Sequence, residues 1–215
     1  MKVDRNEVLR YLGYHGKPAG WEVLEQVESC LAELGGAVSP RSVSRIFPVT
    51  FREQGVSVGS LEIQSNDLRR HISGCGEAIL FAATLGAQAD LLMLRYSKTD
   101  MTRAVILQAC AAALTESYCD DCGQQMAAEA AKRGLYLRPR FSPGYGDFSI
   151  SHQADFLKIL DCPKKIGLTM TDSSMLVPSK SVTAVIGLTD REQSCHIAKC
   201  MECKATDCPF RKDNS

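Results

Sequence analysis

The 215-residue chain has no excess of either charge, with 25 Lys and Arg against 25 Asp and Glu. Without a basic balance there is no field to attract nucleic acid or anionic lipid, so neither is expected as a partner. Long hydrophobic runs are missing too. The longest, residues 78–85 and 109–114, are sized for a core and fall far short of the ~18 residues that cross a bilayer. The opening Met1-Lys2-Val3-Asp4-Arg5-Asn6 lacks the apolar stretch that a secretory signal places after its lysine, and the expected compartment is the cytoplasm. No Gly-x-Gly-x-x-Gly follows a candidate strand, which leaves a dinucleotide enzyme without its phosphate-binding turn. There is no internal repeat and no low-complexity segment. The remaining composition, 45% apolar and 23% charged, is that of a globular protein with one substantial core and room for a small appendage.

Cysteine, by contrast, is plentiful at ten residues. With no secretory signal a disulfide framework is not expected, which leaves metal, redox or core roles. Cys30, Cys75, Cys110 and Cys162 stand singly and read as small buried hydrophobes. The C-terminal run Cys195-x4-Cys200-x2-Cys203-x4-Cys208, followed by Pro209, is different. Its surroundings are poor in apolar residues, so the segment has little reason to order without a metal. Four thiolates are soft ligands for zinc or an iron–sulfur cluster. Structural zinc usually uses two Cys-x2-Cys knuckles; one short pair with wider flanks and a following proline is closer to a cluster-binding stretch. The chain therefore divides into a domain over residues 1–190 and a metal-binding tail over 191–215. Cys119-x2-Cys122 admits three readings: a redox pair, half of another site, or two cysteines of one helix with no joint task, the last being the expectation.

Along the chain, Asp4 is placed to cap a short helix bearing Val8, Leu9 and Leu12. Trp21, Leu24, Val27, Leu31 and Leu34 recur at helical spacing, with Trp21 as a core anchor and Gly35-Gly36 as the stop. Residues 42–63 alternate between β-branched residues and glycines and read as short strands and hairpins. Asn66-Asp67 caps a brief helix, His71 reads as a hydrogen-bonded structural histidine, and residues 77–85 form a buried strand. Residues 87–94 look helical. A longer helix, capped at Thr99-Asp100, runs over 101–132 with a break or bend at Gly123. Residues 153–160 make a short amphipathic helix, and 166–170, 174–177 and 181–188 make strands. This mixture is α+β.

One loop has the residues of a binding site. In Arg140-Phe141-Ser142-Pro143-Gly144-Tyr145, Pro143 fixes φ and Gly144 allows close backbone approach. Arg140 carries a planar fork of donors suited to a carboxylate, and Tyr145 a flat ring with a polar tip. The residues alone leave two readings open, a ligand-binding loop or a surface turn with Arg140 solvated.

That loop, the long Ala-rich helix before it, and the segments Leu168-Thr169-Met170-Thr171-Asp172-Ser173 and Val177-Pro178-Ser179-Lys180-Ser181-Val182 after it follow a familiar order. Over residues 99–188 the chain resembles the reactivation domain of cobalamin-dependent methionine synthase, which binds S-adenosylmethionine (SAM). The resemblance implies an α+β fold with a twisted, mainly antiparallel sheet and one long helix. It implies that Arg140 meets the SAM carboxylate, that Glu116 meets its ammonium group, and that Gly144 and Tyr145 line the pocket. The implied reaction is reductive methylation of a cob(II)alamin, and the implied protein is a methionine synthase reactivation component. Since the chain has no Asp-x-His-x-x-Gly motif, the cobalamin is expected on a partner, a methionine synthase or another corrinoid protein. Ferredoxin, flavodoxin or an iron–sulfur tail would bring the electron. The cysteine tail and the first hundred residues depart from the family pattern, including its N-terminal aspartate contact to SAM. A rival of a different class is a non-catalytic module that docks on a corrinoid methyltransferase, with zinc holding its tail. A radical SAM mechanism lacks its Cys-x3-Cys-x2-Cys run.

Overall fold

Residues 77–84 are apolar at almost every position, so a strand made from them has to be covered on both faces. In the computed structural model, which describes residues 3–14 and 18–191, this strand (β4, Glu77–Thr84) is central. It pairs antiparallel with β1 (Arg41–Arg52) on one side and with β8 (Ser181–Thr189) on the other. The short strands β2 (Gly55–Val58), β3 (Leu61–Ile63) and β5 (Tyr136–Leu137) complete a six-stranded sheet in the order β3-β2-β1-β4-β8-β5. A separate two-stranded ribbon joins β6 (Thr169–Met170) to β7 (Leu176–Val177).

Side-chain alternation sends the two faces of β4 into different cores. Ala78, Leu80 and Ala82 join Val185 of β8 beneath α3 (Asn66–His71), α6 (Gln153–Leu160) and α7 (Cys162–Ile166), where Leu68, Phe156 and Ile166 pack. Ile79, Phe81 and Ala83 join Ala184 and Ile186 against α5 (Met101–Ala131). A third core lies among helices alone. There α1 (Arg5–Tyr11), α2 (Trp21–Ala37) and α4 (Ala87–Thr99) pack on the N-terminal half of α5. Alanines 104, 109, 111 and 113 of α5 are buried, and so small a surface lets Val27, Cys30 and Leu34 of α2 approach closely. The result is the expected α+β fold with an antiparallel sheet and one long helix.

Several local expectations hold at atomic detail. The Asp4 carboxylate accepts from Asn6 N at 2.9 Å, and that of Asp100 from Arg103 N at 3.0 Å, so both helices start where their caps place them. Helix α6 has the expected bounds and buries Phe156, Leu157 and Leu160.

Others are corrected. Trp21 is 71% exposed and so is not the core anchor expected; it is the first residue of α2 and lies at the helix end. Gly35 and Gly36 do not stop α2, which runs on to Ala37; the extended Val38 ends it. Helix α5 continues unbroken through Gly123. Ser65, rather than Asn66, caps α3, its hydroxyl accepting from Leu68 N at 3.0 Å. The strand expected over 166–170 shrinks to β6, since Cys162–Ile166 form α7 behind Pro163.

Candidate functional site

The segment after β5 is held to the sheet before it turns outward. Arg138 N donates to Gly187 O at 2.8 Å, and Phe141 and Val185 exchange backbone hydrogen bonds of 2.9 and 2.8 Å. The chain then folds on itself: Tyr145 N bonds Ser142 O, Phe148 N bonds Tyr145 O, and Gly144 N closes the loop on Phe148 O at 2.7 Å. Gly144 has a φ of +96°, a conformation that needs glycine. Beneath the loop Phe148 is buried and stacks on Phe141, with centroids 6.3 Å apart, while the His71 ring lies 5.0 Å from Phe141 and its Nε2 is 2.8 Å from Pro139 O. The hydrogen-bonded role expected for His71 is thus to brace this loop.

A second anchor is Asp147. Its carboxylate accepts from Asn66 N at 2.8 Å, from Asp67 N at 3.1 Å and from the Ser65 hydroxyl, capping α3 from a loop 80 residues away. Asp147 N returns a bond of 3.1 Å to Asp67 Oδ2. Desolvation works to raise the Asp147 pKa, but these donors outweigh it and hold the carboxyl below its ordinary value. Gly146 makes the approach possible. Its φ is +53°, and a Cβ there would lie 2.2 Å from Asp67 Oδ2.

The loop fixed in this way presents Arg140 to α5. One nitrogen, Arg140 Nη2, lies 2.8 Å from Glu116 Oε2 and 3.0 Å from Asp120 Oδ1. The arginine side chain is 21% exposed, and the carboxylates are 49% and 67% exposed. Arg140 is therefore paired and largely covered rather than freely solvated. Residues 116 and 120 are one helical turn apart and share a face of α5. The i, i+4 spacing was visible in the sequence, but Asp120 was not singled out there because nothing local says which loop that face meets. Beside the cluster a cleft of about 290 Å³ opens between α5 and the loop, bordered by Asp120 and Gly123 of α5, by residues 137–140, which include the guanidinium-bearing Arg138 and Arg140, and by Ile186. Burial, followed by the charge of Glu116, pushes up the pKa of the Tyr11 hydroxyl on α1, which stays protonated. Gly144 and Tyr145 sit at the tip of the loop, with Tyr145 52% exposed; neither borders the cleft. A larger cleft, about 1000 Å³, lies between α1, α2 and α5 and has no residue of the loop in its walls.

All six described cysteines are buried thiols. Burial pushes Cys110 and Cys119 up to about 12 and Cys162 up to about 11, well away from thiolate chemistry at neutral pH. Cys119 and Cys122 lie within α5 against the sheet. Among the described residues no group of three or more His, Cys, Asp or Glu side chains is arranged to hold a metal ion. The tail cysteines Cys195, Cys200, Cys203 and Cys208 lie outside those residues. Among the described residues no helix is long and apolar enough to cross a membrane.

Among solved structures the chain is similar to the MetH reactivation domain, crystallised bound to AdoHcy, the demethylated form of SAM. The two share 14% identity and a TM-score of 0.62, over 90% of this chain and 78% of that one, a likeness of fold. No curated protein matches. The family of vitamin B12-dependent methionine synthase activation domains matches residues 68–213, reaching past both ends of the stretch whose motifs carry the resemblance. On a match over more than half its length, this chain belongs to the vitamin B12-dependent methionine synthase activation-domain family.

Proposed function

We propose that this protein binds SAM at the Arg140–Glu116 cluster and uses it to reactivate cobalamin on a partner corrinoid protein by reductive methylation. One observation carries the reading. A guanidinium and a carboxylate, brought from separate elements to 2.8 Å, are the complements of the carboxylate and ammonium of an α-amino acid. Arg140 would take the carboxylate through its fork and Glu116 the ammonium. The Gly144–Tyr145 tip would close over the remainder of the ligand. The AdoHcy in the crystal structure of the similar reactivation domain supports the same ligand class.

SAM supplies an electrophilic methyl group. The protein's task is to orient that carbon toward a corrinoid presented by the partner, whose cobalt accepts one electron before it takes the methyl. The carbon–sulfur bond breaks, sulfur keeps the pair, and AdoHcy leaves. No side chain of this protein has to act as nucleophile. The four-thiolate set Cys195, Cys200, Cys203 and Cys208 fits an iron–sulfur cluster that would deliver the electron, as a segment (191–215) distinct from the domain over 1–190; ferredoxin or flavodoxin would be alternative donors.

The test is calorimetric titration with SAM of protein prepared without oxygen, together with its visible spectrum and metal content. Binding that Arg140→Ala weakens by at least about tenfold is expected, the scale of losing a charge-assisted pair. Absence of SAM heat in the unaltered protein overturns the reading, and a colourless zinc protein removes the tail as electron carrier.

A further inference from the structure

Arg140 is claimed by two carboxylates, and only one of them is needed to read an ammonium group. We propose that Asp120 is an internal competitor: it holds Arg140 while the site is empty and is displaced by the ligand carboxylate, and so sets the affinity of the site. This rests on the reading above that Arg140 receives that carboxylate.

The geometry separates the two acids. Glu116 Oε2 and Asp120 Oδ1 meet the same nitrogen, Nη2, each through a single oxygen. Among the described residues no acceptor meets the other two nitrogens of Arg140. An incoming carboxylate can engage two nitrogens of the fork at once, a stronger and more directional contact than either present partner makes. With two acids on Nη2, which has two protons, it has to displace one of them. Asp120 is the more exposed of the pair and borders the cleft beside the cluster, whereas Glu116 does not. At 67% exposed, the Asp120 side chain has room to leave Arg140 for solvent. Exchange then needs a rotamer change of one exposed side chain. The loop itself, tied to β8 and α3, stays in place.

AdoHcy is the suitable probe, since its neutral thioether removes the sulfonium charge from the comparison. Calorimetry would compare the unaltered protein with Asp120→Asn and Asp120→Glu, in AdoHcy and in its decarboxylated analogue, which keeps the adenosine, thioether and amine. Asp120→Asn is expected to bind AdoHcy about two- to fivefold tighter, the scale of an exposed ion pair released from competition, with the gain shrinking as salt is added. Asp120→Glu should stay near the unaltered protein, and the decarboxylated analogue should show no gain. AdoHcy binding by the unaltered protein with Asp120→Asn equal or weaker overturns the competitor role alone. An equal gain for the decarboxylated analogue also overturns it, in favour of a general field effect. Binding by neither protein sinks this proposal together with the SAM reading.

Discussion

Replacing Asp147 with alanine tests whether the loop is built into place or merely rests there. The substitution removes acceptors for Asn66 N, Asp67 N and the Ser65 hydroxyl, all at the first turn of α3. Ser65 still accepts from Leu68 N, so the helix keeps one cap. Asp147 is exposed, and water can replace part of what is lost. The expected cost is that of one helix N-cap, about 1–2 kcal/mol. For a chain of this length that corresponds to a fall in Tm of about 2–8 °C by calorimetry or circular dichroism. A pH series adds a sign. The Asp147 carboxyl is held below its ordinary value, so its contribution is fully present above the unfolded carboxylate pKa of about 3.8 and is lost as pH falls through the lower folded value. The gap in Tm between the two proteins should therefore be constant near neutrality and close under acid. Affinity for SAM should weaken as well, because Arg140 is carried on the same loop. A Tm within about 1 °C of the unaltered protein at pH 7, with SAM affinity unchanged, would refute the anchoring argument.

Two glycines should respond to alanine with opposite signs. Gly146→Ala puts a Cβ 2.2 Å from Asp67 Oδ2 at a φ of +53° and is expected to cost about 1–3 kcal/mol by urea denaturation, whereas Gly123→Ala, inside α5 with open space around it, should gain up to about 1 kcal/mol. Equal effects would contradict the packing described. Cys110, Cys119 and Cys162 should resist alkylation of the native protein near pH 8 and react only on unfolding, with mass spectrometry locating the label; rapid modification of Cys119 would contradict its burial against the sheet.

What was legible in the sequence was what neighbouring residues determine. Asp4 and Asp100 sit directly before the amides they cap, β4 and β8 announce themselves by apolar or β-branched content, and α6 by its period. Trp21 shows where that logic stops. Its place in the helical period is right, but whether a neighbour covers the start of α2 is a fact of tertiary packing, and among the described residues Trp21 stays 71% exposed. The site divides in the same way. Pro143 and Gly144 foretold the loop, and family motifs directed attention to Arg140 and Glu116. The capture of Asp120 by Arg140, and of the α3 amides by Asp147, joins residues 20 to 82 positions apart, and no window on the sequence contains both partners.

Helix α5 belongs to two cores at once. At 31 residues it is about 46 Å long; Leu114 lies in the all-helical core and Cys119 in the core against the sheet. Glu116 falls between them, at the seam. Its opposite number, Arg140, is fixed to the sheet through the hydrogen bonds to β8. The ion pair is therefore a gauge with one jaw on the helical layer and the other on the sheet. An axial slip of α5 by one helical turn, about 5.4 Å, would carry the 2.8 Å contact well beyond hydrogen-bonding distance. The position of α5 against the sheet is thus registered at the charges that would read the ligand.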